Sequence, residues 1–224
     1  MPSPEEPISI DVPARGSVSA VYARPAGADA SLVVAHGAGA GMEHPFLVGF
    51  TRAMNDLEIA TLRFNFPYME AGKRGTDSAP VAIAAWRAAF DAASSRAPSG
   101  EPVWAGGKSF GGRMASMAVA EGMPAAGLVF LGYPLHAPGK PDRVRAEHLF
   151  TITVPMLFLQ GTGDPFATPD VLGPVLKRLG KKATLHPVEG GGHSLEQGRR
   201  DDPREVGASV APIVASFIRK HGGR

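Results

Sequence analysis

VWAGGKSFGGRM, residues 103–114, decides how the chain folds. An apolar run enters from the left, a small-residue helix leaves to the right, and Ser109 stands at the junction among glycines. Two chemistries compete for this stretch. Lys108-Ser109 invites a phosphate loop, which needs Gly-x4-Gly-Lys-Ser/Thr. Its first glycine would fall at position 102, which is Pro102. The cradle of backbone N–H groups cannot form from strand residues, so the match shrinks to a dipeptide. Gly107-Lys108-Ser109-Phe110-Gly111 instead fits a nucleophile elbow, a strained strand-to-helix turn that exposes the serine hydroxyl. Side chains two residues before and after such a serine would collide, which accounts for both glycines. The first free N–H groups of the helix point toward an oxygen that becomes negative during acyl transfer. The plainer reading is a glycine-rich turn with an incidental serine, and the flanking elements have to decide.

Outward from the elbow, the chain alternates in period. Residues 7–12 and 17–24 alternate apolar and polar around the turn Pro13-Ala14-Arg15-Gly16, which predicts an antiparallel hairpin. Short continuous apolar runs follow at 31–36, 59–66, 102–106, 127–132 and 155–161, with a last strand at 183–188. Such runs suit strands buried on both faces of a parallel sheet. Between them, 43–57, 79–95, 110–122, 168–179 and 204–220 carry helical patterns, the fourth interrupted or started late by Pro174. A hairpin followed by repeated β-α units predicts an α/β fold with an eight-stranded, mostly parallel sheet and helices on both faces. Residues 133–154 break the rhythm but are too few for a lid domain. Residues 1–224 are expected to form one domain, with 1–6 a flexible N-terminus.

A serine needs a histidine base, and the base needs a carboxylate to fix its tautomer. On a strand–turn–helix scaffold the order along the chain is Ser, acid, His. Of the histidines beyond residue 140, His221 lies in the tail, His186 inside a strand run and His148 ahead of any acid at a strand end. His193 follows the last strand in the glycine-rich EGGGHSL and is the candidate base. Asp164, leaving the preceding strand in QGTGDPF, is the candidate acid, although Asp in such a turn can be a turn former. Asp170, Asp201 and Asp202 are placed less well. The second backbone donor is sought in HGAGAGMEH, residues 36–44: Ala38 is the choice, Gly39 the alternative, and Phe110 supplies the first. His36 is expected to pack beneath that loop. Met42, Phe46, Tyr68, Tyr133 and Phe166, all after strand ends, are the candidate substrate-binding residues.

Cofactors are not expected. Gly37-Ala38-Gly39 begins a dinucleotide fingerprint, but the third glycine would be Met42, and Arg63-Phe64-Asn65 lacks the acidic ribose ligand. His186, Glu189 and His193 are metal-ligand types, but Pro187 and three glycines forbid the helix that would align them. No metal is therefore expected. The 224 residues include no cysteine, which excludes disulfides and thiolate chemistry. Net charge is +2, and short basic runs such as Arg199-Arg200 form no stripe with aromatics, so no nucleic-acid partner is expected. The N-terminus lacks a signal-peptide pattern and no apolar run approaches about 20 residues. A cytoplasmic protein without membrane contact is expected.

With these residues in view, the chain resembles the α/β-hydrolase superfamily over roughly residues 7–220. It is most similar to the small, lidless dienelactone-hydrolase-like branch, through HGAGAGMEHPF, RFNFPY, GGKSFGGRM, GYPLH and the His193-Ser194 pair. The resemblance implies a Ser109–His193–Asp164 triad and hydrolysis of an ester-like acyl bond in a small molecule. True dienelactone hydrolases carry cysteine at the elbow, so Ser109 argues against dienelactone itself. Thioesterase, amidase and peptidase chemistry stay open, as does a binding module or scaffold with an idle triad. Oligomeric state is not legible.

Overall fold

The hairpin sets the sheet's first edge. In the computed structural model, which describes residues 3–222, β1 (Glu5–Val12) pairs antiparallel with β2 (Gly16–Ala23). Glu5 and Glu6 sit opposite Ala23 and Tyr22, so these two residues of the expected flexible N-terminus belong to the sheet. Glu5 is also tied down chemically: Arg63 and Arg52 hydrogen-bond its carboxylate and hold its pKa near 2, well below the usual range. Residues 1 and 2 of that expected tail lie outside the described residues.

From there the chain alternates as the apolar runs require. β3 (Ala30–Ala35), α1 (Pro45–Asp56), β4 (Ile59–Phe64), the short α2 (Pro67–Glu70) and α3 (Ala79–Ser94) lead to β5 (Val103–Lys108). α4 (Phe110–Ala120), β6 (Leu128–Leu131), a 3-10 turn at Glu147–Thr151 and β7 (Met156–Gly161) follow. The chain closes with α5 (Pro169–Leu179), β8 (Ala183–Val188) and α6 (Pro203–Gly222). Pro174 does not interrupt α5. It sits on an exposed part of the helix, forgoing one backbone hydrogen bond while Leu172 and Val175 stay buried.

The eight strands run in the order β1-β2-β4-β3-β5-β6-β7-β8, antiparallel from β1 to β4 and parallel from there on. Alternate residues of the central strands serve opposite faces. Val33, Ala105 and Phe158 join the core under α3, α4 and α5, while Leu32, Trp104 and Leu157 join the one under α1 and α6. α1 and α6 approach closely because both contribute glycine at the contact. A Cβ on Gly49 would strike the Arg204 backbone, and one on Gly207 the Phe46 backbone. No lid domain covers the carboxyl ends of the strands among the described residues. The order of strand addition reverses at β3, with β4 on one side of it and β5 on the other, so the connections after β3 and β5 leave toward opposite sides and open a crevice. Such a switch point is where open α/β sheets bind ligands.

Candidate active site

The elbow forms where β5 ends. Ser109 has φ 49° and ψ −112°, a left-handed conformation that L residues adopt at a cost of order 1–3 kcal/mol. The glycines make it possible. A Cβ on Gly107 would lie 2.7 Å from the Ala35 carbonyl oxygen, and one on Gly111 would lie 2.7 Å from that of His36. Both distances are prohibitive, so the glycines let the β3 loop and α4 close around the serine. Ser109 is thereby half-buried at the start of α4.

His193 arrives from the loop after β8. Its Nε2 is 2.7 Å from Ser109 Oγ, and its Nδ1 is 2.7 Å from Asp164 Oδ2. A carboxylate only accepts, so the proton lies on Nδ1 and Nε2 is left to accept from the serine. Asp164 is fully buried after β7. Its Oδ1 accepts from the Phe166 N–H at 2.8 Å, and its Oδ2 also accepts from Gln160 Nε2. Gln160 in turn accepts from the Tyr133 N–H at 2.8 Å, tying the acid to the end of β6. Phe166 packs on the imidazole with ring centroids 4.5 Å apart. Gly132, at φ 72°, lets the His193 carbonyl come close, and a Cβ there would collide with it. Lys108 donates to the same carbonyl at 3.4 Å, and burial pushes its pKa down to about 8.

The two residues expected to supply oxyanion donors also border the cavity at this site. Ala38 and Phe110 line the cavity above Ser109, and neither backbone N–H has a protein acceptor among the described residues. The Gly39 N–H donates to the Tyr68 hydroxyl at 3.2 Å, which leaves Ala38 as the better candidate. His36 is 1% exposed, with Nδ1 donating to the Gly37 carbonyl and Nε2 accepting from the Phe66 N–H. Burial lowers its pKa to about 4, which keeps it neutral beneath the loop.

The cavity measures about 680 Å³. Phe166 lines it, but Met42, Phe46, Tyr68 and Tyr133 do not. Phe46 packs in the α1–α6 core, and Tyr133 lies between Phe130 and Phe158. Tyr68 is spent on the Gly39 turn, and the Met42 N–H is held by Asn65. The walls come instead from α4 (Met114, Met117), α1 (Leu47) and the 133–154 segment (Pro134, Ala137). Sequence reasoning missed Gln160 altogether, since a single polar residue ending an apolar run carries no signal of its own. It also missed Arg113 and Arg145, which reach the cavity from a helix and from an irregular segment.

A second serine–histidine pair lies below. Ser116 Oγ is 2.8 Å from His148 Nε2 and 3.1 Å from the Tyr133 hydroxyl. It is fully buried within α4 and lines no part of the cavity. No helix among the described residues is long and apolar enough to cross a membrane.

Known structures share this architecture. A serine hydrolase without a lid from Xanthomonas campestris superposes with TM-score 0.77 at 19% identity, covering 100% of this chain and 98% of that one. A dienelactone hydrolase from Anabaena variabilis gives TM-score 0.78 at 17% identity, with 99% of each chain covered. The esterase domain of a Rhodothermus marinus protein gives 0.74 at 16%, covering 98% of this chain and 100% of that one. At these identities the likeness concerns the fold. A family model described as an alpha/beta hydrolase domain matches residues 28–219, most of the chain. The protein therefore belongs to the alpha/beta hydrolase domain family.

Proposed function

We propose that the protein is a serine hydrolase that cleaves an ester-like acyl bond of a small molecule through an acyl-enzyme. The observation that carries this reading is the unbroken chain from Ser109 through His193 to buried Asp164, with the serine held at positive φ beside two unengaged amides. In the first half-reaction Ser109 Oγ attacks the carbonyl carbon and its proton passes to His193 Nε2. The Phe110 and Ala38 N–H groups receive the oxyanion, each contributing about 3–4 kcal/mol to the barrier lowering. The imidazolium then protonates the departing alcohol. Water adds to the acyl-enzyme, giving its proton to His193, and the acid leaves as Ser109 regains its hydrogen. The buried carboxylate of Asp164 stabilises the transient imidazolium without itself taking the proton.

Reaction with a fluorophosphonate tests this. A serine with an adjacent neutral imidazole and an assembled oxyanion site is phosphonylated, while ordinary serines are not. Intact mass should show one adduct, mapped to Ser109 and absent in Ser109→Ala and His193→Ala. Folded wild-type protein that stays unlabelled beside a labelled control hydrolase would make the chain a binding module with an idle site.

A further inference from the structure

The cavity is apolar for most of its lining, yet its charged groups are all of one sign. Lys108, Arg113 and Arg145 face it, and no Asp or Glu does. None of the three forms an ion pair with a carboxylate among the described residues, although five other arginines do. Lys108 is already engaged with the His193 carbonyl. The two arginines are not equally engaged. Arg113 leaves α4 one turn beyond Ser109, its N–H bonding the Ser109 carbonyl at 3.0 Å, and its guanidinium donates to the backbone oxygen of Arg145 at 2.9 Å. That bond brings Arg145 alongside, and partial burial, together with repulsion from the Arg113 charge, lowers the Arg145 pKa. The backbone of Arg145 is fixed independently, its N–H donating to the Leu135 carbonyl at 2.7 Å. Two like charges held together at one wall of a hydrophobic cavity are relieved by an anion, and the guanidinium fork matches a carboxylate in two parallel hydrogen bonds.

We infer that the site takes an acyl ester whose acyl chain ends in a carboxylate, with Arg113 and Arg145 receiving that anion while the ester carbonyl lies at Ser109. This rests on the hydrolase reading of Ser109. Ser109 and Arg113 are one helical turn apart, about 5.4 Å along the axis, and both line the same cavity. Met114, Met117 and Leu47 supply the apolar walls the acyl chain needs.

Turnover of 4-nitrophenyl hydrogen adipate and 4-nitrophenyl hexanoate, equal in acyl length and different in charge, tests the inference. The half-ester should show at least a tenfold higher kcat/KM. That ratio should fall to about one in Arg113→Met and reverse in Arg145→Glu, which places the opposite charge at an exposed position. Equal or preferred turnover of the hexanoate by wild-type protein overturns the anionic-substrate inference and leaves the hydrolase reading standing. Calorimetry on Ser109→Ala reads the anion site without turnover. Monomethyl adipate should bind at least tenfold tighter than dimethyl adipate, and the preference should vanish with Arg145→Glu added. Equal binding of the two overturns the inference even if Ser109 proves unreactive, whereas absent fluorophosphonate labelling with retained monoester preference overturns only the hydrolase reading.

Discussion

Ser109–His193 and Ser116–His148 are two serine–histidine pairs on one helix and its N-terminal turn, with nearly the same oxygen–nitrogen distance, 2.7 and 2.8 Å. Their hydrogen bonds run in opposite directions. Ser116 donates its proton to the Arg113 carbonyl at 2.7 Å, so its oxygen is left to accept. Two lone pairs would repel at 2.8 Å, hence His148 carries its proton on Nε2 and donates it to Ser116. Among the described residues no carboxylate bonds the other nitrogen of His148, whose pKa is lowered to about 4 by burial and by the nearby Arg113 charge. At Ser109 the buried Asp164 holds the proton on Nδ1, and the serine is the donor. Distance alone does not separate a nucleophile from a packed hydroxyl. The far nitrogen's partner and the direction of the proton do.

The largest effect expected from this contrast is at Ser109 itself. Ser109→Ala should lower kcat toward 4-nitrophenyl esters by roughly 10⁵–10⁶-fold, measured at equal absorbance-determined concentrations of folded protein; a residual rate near wild type would move the chemistry elsewhere. Next comes the proton's direction. Asp164→Asn should keep the fold yet reduce kcat about 10⁴-fold, because an amide favours the wrong His193 tautomer. Should Asp201→Asn or Asp202→Asn be the damaging change instead, the acid has been misassigned. Geometry is the third level. Gly132→Ala drives a methyl into the His193 carbonyl and should cost about 10²-fold. Gly139→Ala has similar positive φ, 67°, and open space around it, so it reports backbone strain without displacing the base.

The smallest effects on activity belong to the second pair. Ser116→Ala should change turnover by no more than about twofold while lowering stability by about 1–3 kcal/mol, since it strips a buried acceptor from His148 and Tyr133. Urea unfolding reads that loss, and parallel kinetics read the rest. His148 also gives the pair a pH signature. The unfolded chain takes up a proton near pH 6.5, but the folded chain not until about pH 4, so stability declines as pH falls through that window. His36 behaves alike for the same reason, burial. His148→Gln should flatten part of the decline and leave the rate profile of Ser109 labelling in place. A shifted labelling profile would mean that the two pairs are coupled through α4.

Much of this arrangement could be read before the structure. Apolar runs between glycines and prolines located the strands to within a few residues. That Ser109, His193 and Asp164 come together was legible because a strand end followed by a short loop leaves few places for a side chain to go. The cavity wall was not legible, for a physical reason. Phe46, Tyr68 and Tyr133 follow strands, but their rings turn inward, where burying an aromatic side chain contributes more than lining a wet cleft. Arg113 and Arg145 meet although 32 residues separate them, through a backbone hydrogen bond that no periodicity encodes. Pro174 in α5 misled for a related reason: an exposed helix face tolerates one missing hydrogen bond.

The left-handed serine carries a further consequence, one of drift over generations. Glycine adopts φ 49° without strain, and with no hydroxyl it would serve the turn better than serine does. A lineage that used this surface only for docking would have no reason to keep a strained side chain there. Mutation would carry position 109 toward glycine, and the fold would gain stability by the change. A serine in that conformation is a standing burden on the scaffold, of order 1–3 kcal/mol, that a glycine would not impose.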